Sequence, residues 1–384
     1  MQLATRLQQL PPYVFAELDR KKGALQAAGM DLIDLSIGDP DQPTPPPILA
    51  ALARGAADRT NHRYPPYAGT RNFREAACGW MERHYAVTLD PDRECLALIG
   101  SKEGIAHLPW AFVNPGEVVL VPSPGYPVYT SGALFVGATP HLLPLRADRG
   151  FLPDLAAIPA EVARKAKLLW INYPNNPTAA VATREFFAEA ILFAKRHNLI
   201  LAHDTAYAEI FYDGERPVSL LQCPGGMDVG IEFHSLSKTF NMTGWRIGFA
   251  VGNPAIVQGL AKMKTNLDSG VFGAVQTAGI AALTAPELVQ PIRASYQRRR
   301  DCLVAGLSRI GWPVTAPKAT FYVWAQVPNR MSSAEFATLL LERAGVVITP
   351  GTGFGAEGEG YVRFALTATK ERISEAIDRL RELL

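Results

Sequence analysis

His234-Ser235-Leu236-Ser237-Lys238-Thr239-Phe240-Asn241-Met242-Thr243-Gly244-Trp245-Arg246-Ile247-Gly248 is the most informative stretch of this 384-residue chain. A lysine is costly to place among apolar runs unless its charge is neutralised or its amine is used covalently, and an amine of lowered pKa is a good carbonyl nucleophile. Ser235, Ser237 and Arg246 add two hydroxyls and a forked cation, the groups that hold a phosphate. A Ser-Lys pair alone would read as a surface pair. The whole run, with Arg246 eight positions beyond Lys238, does not.

Working outward, the run leads into Ile247-Gly248-Phe249-Ala250-Val251, one of several short apolar segments bounded by turn residues. The others are Cys95-Leu96-Ala97-Leu98-Ile99, Val118-Val119-Leu120-Val121, Leu168-Leu169-Trp170-Ile171 and Leu199-Ile200-Leu201-Ala202. Helical patterns lie between several of them, as from Glu185 to Arg196, and strands alternating with helices predict an α/β fold with a mostly parallel sheet. Beyond about residue 285 the pattern changes to longer helices with two strand candidates, Phe321 to Val327 and Tyr361 to Leu366. The expected organisation is an arm over residues 1–40 with part of a small domain, a large domain over 41–285, and a small α+β domain over 286–384. Within the arm, Pro11-Pro12 precedes a loosely helical spacing of Val14, Phe15, Leu18 and Leu25.

Ligands of an open α/β sheet bind beyond the carboxyl ends of its strands, so the residues following each apolar run come next. Gly100-Ser101-Lys102-Glu103-Gly104 follows the first, and small residues opening a helix leave N–H groups free for a phosphate, although a plain strand-to-helix turn looks the same. Pro122-Ser123-Pro124-Gly125-Tyr126-Pro127 puts Tyr126 on a stiff turn, where its ring either packs in the loop or stacks on a flat cofactor. Asn172-Tyr173-Pro174-Asn175-Asn176-Pro177-Thr178 holds asparagine amides in extended backbone before proline. Asp204, directly after a buried run, needs a partner: a salt bridge, a helix cap, or a protonated pyridine nitrogen.

Ser-x-Ser-Lys-x-x-x-x-x-Gly-x-Arg, preceded 34 residues earlier by Asp-x-x-Tyr and earlier still by Asn-Pro-Thr, resembles the class I aminotransferases among the fold type I pyridoxal-phosphate enzymes. The resemblance implies pyridoxal 5'-phosphate as cofactor, carried by Lys238 as a Schiff base, with Lys238 also moving the proton at the substrate Cα. It implies Asp204 on the pyridine nitrogen, Asn176 and Tyr207 on the ring oxygen, and Tyr126 stacked on the ring. Ser101 and Lys102 through their amides, with Ser235 and Arg246, would hold the phosphate. Tyr64 matches a tyrosine that reaches the phosphate of a neighbouring subunit, which implies a homodimer with shared active sites. Arg363 in Gly360-Tyr361-Val362-Arg363-Phe364 would grip the substrate carboxylate, with Gly38 closing over the same group. Substrates would be an amino acid and a 2-oxo acid.

Arg6 to Tyr13, Asp39 to Pro45 and Thr265-Asn266-Leu267-Asp268-Ser269-Gly270 are similar to bacterial LL-diaminopimelate aminotransferases. Departures are Ala179 where glycine usually follows Asn-Pro-Thr, Tyr173 in place of a common proline, and His203 before the aspartate. They leave open an aspartate, alanine or aromatic aminotransferase, or a carbon-sulfur lyase on the same scaffold.

A formal net charge of +2, with 48% hydrophobic and 19% charged residues, gives no electrostatic reason to expect nucleic acid or a membrane surface as partner. Cys78, Cys95, Cys223 and Cys302 are far apart and form no metal-binding pair, so no metal is expected and a reducing, cytoplasmic setting fits. No leader pattern opens the chain and no apolar stretch reaches spanning length. Gly351-Thr352-Gly353-Phe354-Gly355 lacks the spacing and context of a dinucleotide fingerprint, which disfavours an oxidoreductase. A binding module on this fold would need an attached DNA-binding domain.

Overall fold

The computed structural model describes residues 2–10, 16–328 and 330–383. The expected arm features at Pro11, Pro12, Val14 and Phe15 lie outside the described residues. Among the described residues there are twelve strands: β1 Ile33–Asp34, β2 Cys95–Leu98, β3 Val118–Ser123, β4 Thr139–Pro144, β5 Ala166–Asn172, β6 Ile200–Asp204, β7 Gly230–Ser235, β8 Gly248–Gly252, β9 Tyr322–Gln326, β10 Val346–Val347, β11 Thr349–Pro350 and β12 Tyr361–Ala365. Seven of them form one sheet in the order β2-β8-β7-β6-β5-β3-β4. The β7-β6-β5-β3-β4 run is parallel, and only β8 lies antiparallel, between β2 and β7.

Helices cover this sheet, so its inner strands are buried on both faces and read as continuous apolar runs. Two strands did not announce themselves in that way, for different reasons. β4 is an edge strand whose residues are mostly exposed or half-buried, with Pro140 and Pro144 tolerated where one side has no ladder partner. β7 is fully buried, yet its sequence carries Glu232 and His234, and these polar residues break the apolar pattern.

The helix Arg184–His197 shows how the flanking layer is specified. Thr183 accepts a hydrogen bond from the N–H of Phe186 at its start, and Asn198 closes it in the left-handed region. Phe186, Phe187, Ala190, Ile191 and Ala194 form its buried face and pack with Leu169, Leu201 and Ile171 of the sheet. Phe187 is wholly buried, and its replacement by alanine would cost roughly 3–5 kcal/mol.

The second core gathers Tyr296, Leu303, Phe321, Val323, Phe336, Leu340, Val362, Phe364, Ile377 and Leu380 around the antiparallel β11-β12-β9 sheet. β1 pairs in parallel with β10, which lays residues 33–38 beside this core. Ser36 then offers its carbonyl to the Thr349 hydroxyl, and Ile37 its carbonyl to that of Thr367. The N-terminal segment thus crosses the mouth between the two sheets. Among the described residues no helix is long and apolar enough to cross a membrane.

Candidate active site

β6 ends at Asp204, whose carboxylate accepts from the Tyr129 hydroxyl at 2.8 Å and from the Ala206 N–H at 3.2 Å. Burial pushes its pKa up, against the pull of Tyr129, the Ala206 amide and the His203 and His234 rings. No lysine or arginine pairs with it among the described residues. Such a carboxylate gains from a charged N–H donor in the cleft.

β7 ends at Ser235, which caps the short helix Leu236–Thr239 by accepting from the Ser237 N–H. That turn points Lys238 across the cleft, where its ammonium donates to the Gly38 carbonyl at 2.8 Å. Burial, reinforced by Arg246 and Arg363 and partly offset by Asp39, lowers the Lys238 pKa to about 8. An amine so placed is partly neutral near physiological pH and nucleophilic.

Across the ladder from Ser235 sits Gly248, where a Cβ would come within 3.0 Å of the Ser101 amide nitrogen. Ser101 opens the helix Ser101–Phe112 behind Gly100, which has φ of 72°. The Arg246 guanidinium lies over Gly100, since a Cβ there would meet Nη2 at 2.2 Å. Free helix-opening amides, the Ser235 hydroxyl and an arginine with no carboxylate partner among the described residues therefore converge, which suits a phosphate. Lys102 is the second residue of that helix and its side chain is exposed.

Arg363 faces the same cleft from β12. Its guanidinium lies between the rings of Tyr322 and Phe354, 4.1 and 4.6 Å from their centroids. Nη1 donates to Asn176 Oδ1 and Nη2 to the Ser36 carbonyl, each at 2.7 Å, while Nε has no hydrogen-bond partner. No carboxylate approaches this buried cation among the described residues, and neutral acceptors leave its charge uncompensated. The Asn176 carbonyl oxygen is taken by Arg363, which leaves the amide N–H groups to donate.

Tyr207 bonds the Tyr322 hydroxyl at 2.8 Å, and a Cβ on Gly38 would strike that same hydroxyl at 1.9 Å. Tyr126 is half-buried with its ring edge-on to Tyr129 at 5.8 Å. The structure therefore brings Gly38, Ser101, Tyr126, Asn176, Asp204, Tyr207, Ser235, Lys238, Arg246 and Arg363 to one cleft. Tyr64 stands apart, 89% exposed.

Sequence reasoning missed Tyr129, Tyr322, Phe354 and Asn172, whose amide donates to the Asp204 carbonyl at 2.8 Å. Tyr129 and Tyr322 sit in apolar segments and read as core. For Tyr129 a signal exists in its place one helical turn from Tyr126; Tyr322 carries none.

Pyridoxal phosphate fits the donor set of the cleft itself: a half-buried lysine of lowered pKa, a carboxylate lacking a cation, an anion cradle, and an orphaned guanidinium nitrogen. The family model of "Aminotransferase class I and II" matches residues 30–380. The chain is 54% identical to LL-diaminopimelate aminotransferase 2 of Trichormus variabilis over 384 residues, covering 100% of this chain and 98% of that protein. It is also 54% identical to LL-diaminopimelate aminotransferase of Aquifex aeolicus, covering 100% of this chain and 99% of the relative. Among solved structures, a probable N-succinyldiaminopimelate aminotransferase from Thermus thermophilus superposes with a TM-score of 0.91 at 41% identity, covering 97% of this chain and all of the other. Likeness that runs the length of the chain in both sequence and fold settles the matter: the chain belongs to the class I and II aminotransferase family and is a pyridoxal-phosphate-dependent aminotransferase of fold type I.

Proposed function

We propose that the chain transfers an amino group from LL-diaminopimelate to 2-oxoglutarate, as a cytoplasmic homodimer with shared active sites. Support for the substrate comes from the relatives' names, and support for the site from Arg363, a buried guanidinium held between two rings with no carboxylate of its own. Bound pyridoxal phosphate supplies an electron sink conjugated with the substrate Cα.

Lys238 anchors the cofactor through Nζ. The same Nζ would serve as the base that takes and returns the proton at the substrate Cα. Asp204 would hold the proton on the pyridine nitrogen, Asn176 and Tyr207 would donate to the ring oxygen, and Tyr126 would cover the ring. The Ser101 and Lys102 amides, the Ser235 hydroxyl and Arg246 would hold the phosphate. Arg363 takes the α-carboxylate in its fork while the Gly38 segment closes over it and excludes water.

Tyr64, Tyr67, Leu267 and Phe272 are large exposed side chains, and the Tyr64 loop rests on the Gly270 turn through Pro65 and Pro66. A second copy of the chain would cover them and receive Tyr64 at its phosphate.

The test is a donor panel on the purified holoenzyme. Donor alone should bleach the visible band of the bound cofactor, and 2-oxoglutarate should restore it. LL-diaminopimelate should exceed aspartate, alanine, phenylalanine and N-succinyl-LL-diaminopimelate by about 100-fold or more in kcat/KM. Preference for another donor overturns the substrate, and release of pyruvate with ammonia favours a lyase.

A further inference from the structure

Glu232 on β7 is completely buried, and its carboxylate accepts four hydrogen bonds. His203 Nδ1 and the Leu220 N–H reach Oε1 at 2.9 and 2.7 Å, while His234 Nε2 and the Ser219 hydroxyl reach Oε2 at 3.2 and 2.9 Å. The other nitrogen of His203 faces the Tyr173 carbonyl at 2.9 Å. A carbonyl and a carboxylate can only accept, so both ring nitrogens of His203 must donate, and a ring with two N–H groups is an imidazolium. His234 differs, because its second nitrogen meets the Thr205 hydroxyl at 3.1 Å, an oxygen that can accept as well as donate and that also lies 3.2 Å from the Phe233 carbonyl, so no second carbonyl or carboxylate fixes its tautomer.

We propose that His203, donating from both ring nitrogens, forms with Glu232 a charged hub beneath the cofactor site that positions Asp204. The topology supports this at each strand end. Asp204 lies between His203 and Thr205; His203 is anchored to Glu232 directly, and Thr205 is anchored to it through His234. His203 also ties the β6 end to Tyr173, three residues before Asn176, which holds Arg363. His234 precedes Ser235 on the strand that leads to Lys238. One carboxylate therefore fixes the ends of β5, β6 and β7 in mutual register, and the imidazolium leaves positive potential behind Asp204.

The same balance appears in proton affinities. Burial pushes Glu232 up, but the hydrogen bonds from His203 and His234 overcome it and hold the carboxyl far below its ordinary range. Among the described residues, Asp204 faces both histidines, Tyr85 and His84 face His234, and Cys223 lies toward Glu232. None of them offers a second anion to His203 except Asp204 itself.

This inference rests on Asp204 as the ring partner, and on no particular substrate. Histidine-ring 15N spectra of wild-type holoenzyme and apoenzyme test the hub without turnover. Among the seven histidines, one ring should show both nitrogens protonated in holoenzyme and apoenzyme alike. A bare nitrogen on every histidine at pH 8 would overturn the proposal. His203→Gln, which loses one donor and the charge, should lower kcat roughly 10- to 100-fold with KM within about twofold. Its cofactor band should titrate about one pH unit higher, because a less positive ring lets the proton at Lys238 stay bound more tightly. A variant with reduced melting temperature but an unmoved spectral midpoint would leave His203 a structural residue only. If His203→Gln does not fold, the wild-type spectra decide.

Discussion

Two lysines of this chain, Lys264 and the half-buried Lys238, have opposite surroundings. Lys264 is fully buried and donates to Glu103 and to both oxygens of Asp268, so its charge is neutralised within the fold. Lys238 donates to one neutral carbonyl, with two arginines nearby that lower its proton affinity. The arginines repeat the contrast. Arg299 holds Asp41 with both Nη atoms at 2.6 and 2.8 Å, whereas Arg363 has only neutral acceptors and one orphaned nitrogen. So do the carboxylates: Glu232 is saturated with four donors, and Asp204 has a hydroxyl and an amide. Charges that serve the fold are completed by the fold. The incomplete ones gather in a single cleft, where a phosphate, a pyridine nitrogen, an aldehyde carbon and a carboxylate would complete them.

The contrast is most easily broken at the arginines. Arg363→Lys removes the planar fork and should lower kcat/KM about 100- to 1000-fold, mostly through KM for both amino and oxo acids, while melting temperature stays close to wild type. Equal loss of stability and activity would mean Arg363 is a structural cation like Arg299.

The lysine contrast sharpens with pH. Because the Lys238 pKa is lowered to about 8, the free amine is scarce below that value and dominant above it. The rate at which apoenzyme captures pyridoxal phosphate should therefore rise about tenfold from pH 7 to 9 and then level off, in stopped-flow absorbance. A rate still climbing at pH 10 would place the pKa near that of an ordinary lysine.

Gly38→Ala tests the closure over the carboxylate. Its new Cβ would displace the Tyr322 hydroxyl and with it the bond to Tyr207, so KM should rise about 3- to 10-fold in steady-state kinetics with smaller change in kcat. The smallest effect on catalysis belongs to Arg299→Met, which should leave kcat/KM within about twofold while costing roughly 1–3 kcal/mol of stability by denaturant titration.

Much of this was legible in the sequence because strands buried on both faces leave unbroken apolar runs, and the chemistry sits at their carboxyl ends. Asp204 after Leu199-Ile200-Leu201-Ala202 is the clearest instance. What stayed hidden had a physical reason each time. β7 carries Glu232 and His234, whose burial depends on a network contributed by other segments. Tyr322 looks like any strand tyrosine until β12 puts Arg363 against its ring. Tyr64 is exposed in the single chain and touches nothing of its cleft, so the role proposed for it can be tested only in an assembly.

The decisive measurement is borohydride reduction of the holoenzyme followed by peptide mass mapping. Incomplete compensation at Lys238 predicts the reduced cofactor on the peptide containing Lys238 and on no other. Cofactor fixed at Lys264, the lysine already satisfied by Glu103 and Asp268, or no fixed cofactor at all, would contradict the account.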